Sequence, residues 1–275
     1  MAASGRSLSL RPMRRGIYLY FRLLGQQMKS ILAYEADFVV LIFAAALTQI
    51  AGFIFIWTIF QRIPDINGWT FWQVVTMYAM VFITEGVSSL FFEGTWWLGY
   101  LVWSGDFDKI LVKPVSPIIQ VITTKVGFNG VGNIVTGFTL MGIAIANVPV
   151  HWTPGRVLMV VILVISAATI RVSVNLATAA TGFFFRNPWS MVPMFVHQVA
   201  ELAKYPISIY SLAIQALVVL AVPFAFISFF PTSYIFEVDA FSPAGLLTPL
   251  VAVYCVVMAV WLFRRGLRRY ESSGH

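Results

Sequence analysis

The 275-residue chain is 59% apolar and only 11% charged, with a formal net charge of +7 and a mean hydropathy of +0.84. A soluble domain carries about a quarter of its residues charged, so these proportions exclude one and mark an integral membrane protein. The basic excess is accounted for by membrane orientation and gives no reason to invoke nucleic acid.

The opening "MAASGRSLSLRPMRRG" has basic residues but no adjoining apolar core with a small-residue cleavage site, so no signal peptide is expected. Over 11–37, Ile17, Phe21, Leu24, Met28 and Ile31 recur at spacings of three and four, with Arg15, Arg22, Gln26 and Lys29 elsewhere around the helix. That pattern predicts an amphipathic helix lying in the cytoplasmic interface. Beyond it come seven apolar runs, at 38–60, 71–94, 118–147, 157–182, 188–204, 207–229 and 244–263. A helical crossing needs about 20 apolar residues. None of the runs alternates as a membrane β-strand would, so an all-α membrane protein is expected.

Lys and Arg set the orientation. The first 37 residues hold Arg6, Arg11, Arg14, Arg15, Arg22 and Lys29, and the tail "RRGLRRY" holds Arg264, Arg265, Arg268 and Arg269. Both termini are therefore expected in the cytoplasm, which asks for an even number of crossings. One run must fail to cross. The candidate is 207–229, where Pro223 removes a helical hydrogen bond and Pro206 and Pro231 bracket the segment. The expectation is six spans plus a re-entrant hairpin before the last; fusing 188–204 with 207–229 into one bent crossing gives the same parity.

After the second run comes "WSGDFDKILVKPVSP", 103–117, charged and proline-bounded in a chain that otherwise avoids charge. Gly105 permits a turn, Asp106 can cap a short helix, and Phe107, Ile110 and Leu111 form an apolar face before Pro114. That face asks for a cover, either lipid headgroups or a partner protein.

Within the runs, charges are functional candidates, since each costs roughly 2.5–3.5 kcal/mol on insertion scales. Glu85, Lys125 and Arg171 are the clearest, at similar expected depth, about 10 Å above the cytoplasmic face. Helical spacing extends each into a stripe: Glu85, Ser89, Glu93; Lys125, Asn129, Asn133; Arg171, Asn175, Thr178. Glu85 pairs with Arg171 or Lys125 in one reading; in the other the stripes line a polar vestibule for substrate. Gly127, Gly130, Gly132 and Gly137 favour close helix packing. Trp72, Trp96, Trp97, Trp152 and Trp189 read as interfacial anchors. His151 and His197 have no companion at metal-ligand spacing, and Cys255 stands alone, so neither a metal nor an intrachain disulfide is expected.

"SGDFDKILVKPVSPIIQVITTK" resembles the signature of ABC-2-type export permeases, with Gly105, Leu111, Pro114, Ser116 and Lys125 matching in order. "LVKPVSP", "KYPISIY" and "VPFAFISFFPTSY" resemble the viologen-exporter-like branch of that family. The resemblance implies one permease domain, 1–275, in the inner membrane, exporting an amphipathic drug or lipid-like substrate. It makes the segment Gly105, Asp106, Phe107, Asp108, Lys109, Ile110, Leu111 and Lys113 the coupling helix that seats in an ATPase subunit. The implied partners are ABC ATPase subunits, which bind ATP and Mg, and a second permease, identical or paralogous. No phosphate-binding loop of the GxxxxGK[ST] type occurs, so the chain is not expected to be an enzyme. Two other classes remain open: a proton-coupled secondary transporter using Glu85, and a membrane enzyme, for which no catalytic set is evident.

Overall fold

The computed structural model describes residues 18–26, 35–185, 191–238 and 242–271. All regular structure among them is helical. α1 covers 18–26, α2 Glu35–Phe60 and α3 Phe71–Phe92. Between α2 and α3 the chain reverses through Asn67 and Gly68, both at positive φ (51° and 85°), with an isolated antiparallel bridge from Ile66 to Trp69. An Asn-Gly pair is suited to that turn because both residues tolerate the left-handed region. α3 starts where the Thr70 backbone N–H donates to Gln73 Oε1 at 2.9 Å. A 3-10 turn, Glu93–Trp97, leads into α4, Leu98–Trp103, and the whole unit Phe71–Trp103 is one 33-residue apolar element.

Two short helices follow, α5 (Phe107–Leu111) and α6 (Pro117–Ile122), then α7 (Asn129–Ala146) and α8 (Pro154–Ala179). α8 is capped by Thr153, whose side chain accepts from the Arg156 N–H, with Pro154 in the first turn where a missing N–H costs nothing. α9 is Met191–Glu201, α10 Leu212–Ala216, α11 Phe229–Phe236 and α12 Thr248–Leu267.

Among the described residues four helical units are long and apolar enough to cross a membrane: Phe71–Trp103, Asn129–Ala146, Pro154–Phe183 and Ser242–Leu267. A fifth is reached if the pair Leu212–Ala221 and Phe224–Phe236, bent by 74°, counts as one span. The α3 unit is 78% buried and the α12 unit 28%, which puts α3 at the centre of the bundle and α12 at its edge. α3 and α7 approach most closely at two glycines. A Cβ on Gly130 would lie 2.6 Å from the Gly86 carbonyl oxygen, so side chains are excluded on both helices there.

Several expected boundaries move. The 118–147 run is not one helix: it breaks over 123–128, where Thr123 and Thr124 hydroxyls donate back to Ile119 and Gln120 carbonyls and the Gly127 N–H donates to Ser89 O. Hydropathy does not register this break, because the Thr124 hydroxyl takes the place of the missing helical N–H at the Gln120 carbonyl without adding charge. The 188–204 run holds an 11-residue helix, α9, and a 3-10 turn that ends before Pro206; 186–190 lies outside the described residues. The 207–229 run breaks at Pro223 as expected, after a π turn at Leu217–Ala221. Pro231 does not bracket it. It sits in the first turn of α11, where an imino nitrogen is tolerated, and the apolar segment continues to Phe236.

Of the amphipathic helix expected over 11–37, the described part packs on its own chain: Leu24 is buried with Val126 and Phe128, and Tyr20 Oη donates to Phe91 O at 2.8 Å. Phe21 is exposed, while Ile17, Met28 and Ile31 lie outside the described residues.

Candidate functional site

Midway along the bundle, polar side chains from five helices converge on a cleft of about 420 Å³. α8 supplies Arg171, buried to 2% exposure; α3 supplies Glu85, and the two form an ion pair. The guanidinium also meets His197 Nδ1 of α9 at 3.0 Å. Because a guanidinium only donates, Nδ1 accepts and the ring proton belongs on Nε2. The His197 ring stands edge-on to Trp96, centroids 5.2 Å apart. One and two turns along from His197 come Glu201 and Lys204, paired at 2.5 Å, with the ammonium 4.9 Å from the Phe82 ring. α2 closes the cleft with Gln49, whose amide donates to Asn133 of α7. Arg171 Nε and Gln49 Oε1 have no protein partner among the described residues.

Toward the C-terminal end of α3 the polar line continues. Ser89 Oγ donates to Glu93 at 2.9 Å and lies 2.9 Å from the Asn129 amide; Asn175 donates to Ser88 at 2.9 Å. Glu85, Glu93, Asn129, Arg171 and Asn175 therefore all face protein or the cleft. Lys125 does not join them. It is exposed in the 123–128 break, its ammonium 3.2 Å above the Trp97 ring. Its expected stripe with Asn129 fails because the helix restarts at Asn129, so four-residue spacing across the break no longer means one face.

A second site lies at the end of the bundle that carries α5. Gly105, at φ 77°, makes the turn into it, and Asp106 accepts from Lys109 at 2.6 Å and from Ser104 at 3.0 Å. These bonds, Lys109 first, hold the exposed Asp106 carboxyl below its ordinary pKa and the Lys109 ammonium above its own. Phe107 and Ile110, expected to face outward, are instead buried. Phe107 wedges between Phe183 (5.2 Å) and Tyr270 (5.0 Å), and Phe183 in turn meets Phe263 of α12 edge to face (5.4 Å). Tyr270 Oη donates to Asp108 at 3.0 Å. The apolar face did need a cover, and the chain's own C-terminal end supplies it. Left outward are Lys109, Leu111, Val112 (83% exposed) and Lys113.

A family model described as ABC-2 family transporter protein matches residues 46–274. The chain belongs to the ABC-2 transporter family. No curated protein and no solved structure gave a match. Membership brings a membrane setting and an ABC ATPase as partner, and the apolar helices make this ABC-2 protein a multi-pass membrane protein. Sequence reasoning missed Gln49, Glu201 and Lys204 and assigned His197 no role. The signal was present: His197, Glu201 and Lys204 fall at spacings of four and three, one helical face of polar groups in an apolar run.

Proposed function

We propose that this ABC-2 protein is the permease subunit of an ATP-driven exporter, moving an amphipathic or lipid-like substrate out of the cytoplasm or inner leaflet. The motif "LVKPVSP" supports placing it in the viologen-exporter-like branch. ATP and Mg are bound by the partner ATPase, and both termini lie in the cytoplasm of an inner-membrane protein. Six spans are expected from α2, α3–α4, the 118–147 run with α6 and α7, α8, the 188–204 run that holds α9, and α12, with 207–229 as a re-entrant hairpin. Contacts support the hairpin. Ser208 O accepts from Asn67 in the α2–α3 loop, and Glu237 pairs with Arg156 at the start of α8, so both ends meet the same rim. Between them Phe224 reaches to 5.4 Å from the Arg171 guanidinium, deep in the bundle.

The polar cleft serves as the substrate path. α2 and α9 are among its walls and carry the exposed Phe43, Leu47, Ile50, Met194 and Phe195, and a second permease set against those faces completes the path.

The observation that carries the reading is the α5 wedge. Phe107 is locked to Phe183 and Tyr270, so force applied to the outward side chains of α5 passes into the ends of α8 and α12. Lys109, Leu111, Val112 and Lys113 are the docking face. Replacing Leu111 and Val112 with Ala leaves Phe107 in place and is expected to weaken ATPase association about tenfold or more, since a few central apolar side chains dominate interfaces. Co-purification and ATP-dependent export should fall together while the permease stays in the membrane; normal ATPase binding and export by the double variant would overturn the coupling role.

A further inference from the structure

A helix continuing beyond α5 would bond the Ile110 carbonyl to the N–H of residue 114, but Pro114 has none. The Lys113 N–H approaches that carbonyl at a long 3.4 Å. The shorter bond comes from α6. Gln120, 8% exposed, donates one amide hydrogen to Ile110 O at 2.9 Å and the other to Val115 O at 2.8 Å. Both donors of the amide are thus used on the two sides of the Pro114 turn, and the opposite orientation of the amide would set oxygen against oxygen. α6 itself bears on the bundle. Val121 is fully buried in one apolar cluster with Phe107 and Ile110, and its carbonyl stands so close to Gly94 that a Cβ there would collide with it. Gly94 lies in the 3-10 turn of the α3 unit, which carries Glu85 of the polar cleft.

We propose that Gln120 is a positioning residue of ATPase coupling: its amide ties the end of α5 to α6, so that the two short helices move as one body and bear on α3 at Gly94. The inference rests on the coupling role of α5 and adds a second route beside the Phe107 wedge, one that leads to the helix lining the cleft instead of to the ends of α8 and α12. Glutamine suits the task because the two carbonyls ask for two donors on one side chain, and a buried position disfavours the charge that Lys or Arg would bring. Parting α5 from α6 would leave buried carbonyls unpaired, so displacement of one helix carries the other with it. Beyond α6 the break over 123–128 separates this pair from α7, which lets it move without dragging the next long helix.

The test is hydrogen–deuterium exchange of the intact permease bound to its ATPase, read peptide by peptide by mass spectrometry with ADP and with adenylyl imidodiphosphate, both with Mg. Wild type is expected to differ between the two nucleotides over 107–113 and, together with it, over 117–122 and 93–97. Gln120→Met keeps the length of the side chain and removes both donors. It should retain ATPase binding and the nucleotide difference over 107–113, while the differences over 117–122 and 93–97 shrink severalfold. Pro114→Ala added to Gln120→Met offers Ile110 O a backbone donor without rejoining α6, so it should raise the unfolding midpoint and leave those differences small. If it restores them, Gln120 only satisfies a carbonyl and the inference is overturned. It is equally overturned by a wild type that responds over 107–113 alone, or by a Gln120→Met protein that responds as wild type does; the docking role of α5 stands in both cases. No response over 107–113 in wild type would remove the coupling role and this inference with it. Should Gln120→Met not stay folded, Gln120→Asn decides, its amide one carbon too short to reach both carbonyls: unchanged differences over 117–122 refute the inference, and a severalfold loss supports it.

Discussion

Arg171 carries a full charge into the bundle at 2% exposure, which is tolerable only because Glu85 and His197 both accept from it. Removing one partner leaves an uncompensated ion. Glu85→Arg or Arg171→Glu alone is expected to cost about 3 kcal/mol or more, seen as a lower unfolding midpoint in detergent and lower export. The double reversal should recover part of both, because the attraction is restored even where the geometry is not. A double variant no better than the worse single one would mean that these charges do not act as a pair. This pairing was legible in the sequence: two charges of opposite sign in apolar runs at matching depth have few alternatives. Lys125 was not, because its depth was counted along a helix that does not continue through Thr123 and Thr124.

At the scale of elements, continuous apolar runs located α3, α8 and α12 to within a few residues, since nothing but burial or lipid accommodates such runs. The segment after α9 was harder. Its turns are tied to other elements by contacts such as the Ser228 hydroxyl donating to Ala203 O and Ser208 O accepting from Asn67, and hydropathy does not encode those contacts. A hairpin here makes a definite prediction. In a Cys255→Ser background, Ser211→Cys and Glu237→Cys, both exposed, should react with an impermeant thiol reagent from the same, outer side. Labelling from opposite sides would make the segment a bent span and leave the two termini to be reassigned.

Across the whole molecule, α5 is joined to α12 through Tyr270, which offers both a ring to Phe107 and a hydroxyl to Asp108. Burial, with the Asp108 bond adding to it, pushes the Tyr270 phenol up to about 12. The neutral donor is the favoured form, so this contribution is complete below the ordinary tyrosine value of about 10 and is lost only as pH rises through about 12. Export should therefore show no alkaline loss from this group below about pH 9. Tyr270→Phe keeps the ring and should retain most coupling, whereas Tyr270→Ala should lower the amount exported per ATP hydrolysed while ATPase binding persists. Equal stoichiometry in the Ala variant would show that the push travels by another route.

The sequence pattern of α5 led to the right requirement and the wrong supplier, because amphipathic spacing says that a face is covered without saying by what. That substitution of an internal cover for an external one gives the segment 107–113 an inward and an outward face. Phe107 and Ile110 answer to the packing of this chain, whereas Lys109, Leu111, Val112 and Lys113 are exposed and, under the proposed coupling role, answer to the partner ATPase. Partner choice is thus free to drift through a handful of surface side chains while the mechanical joint beneath them stays as it is, in the way a standard shaft accepts different couplings.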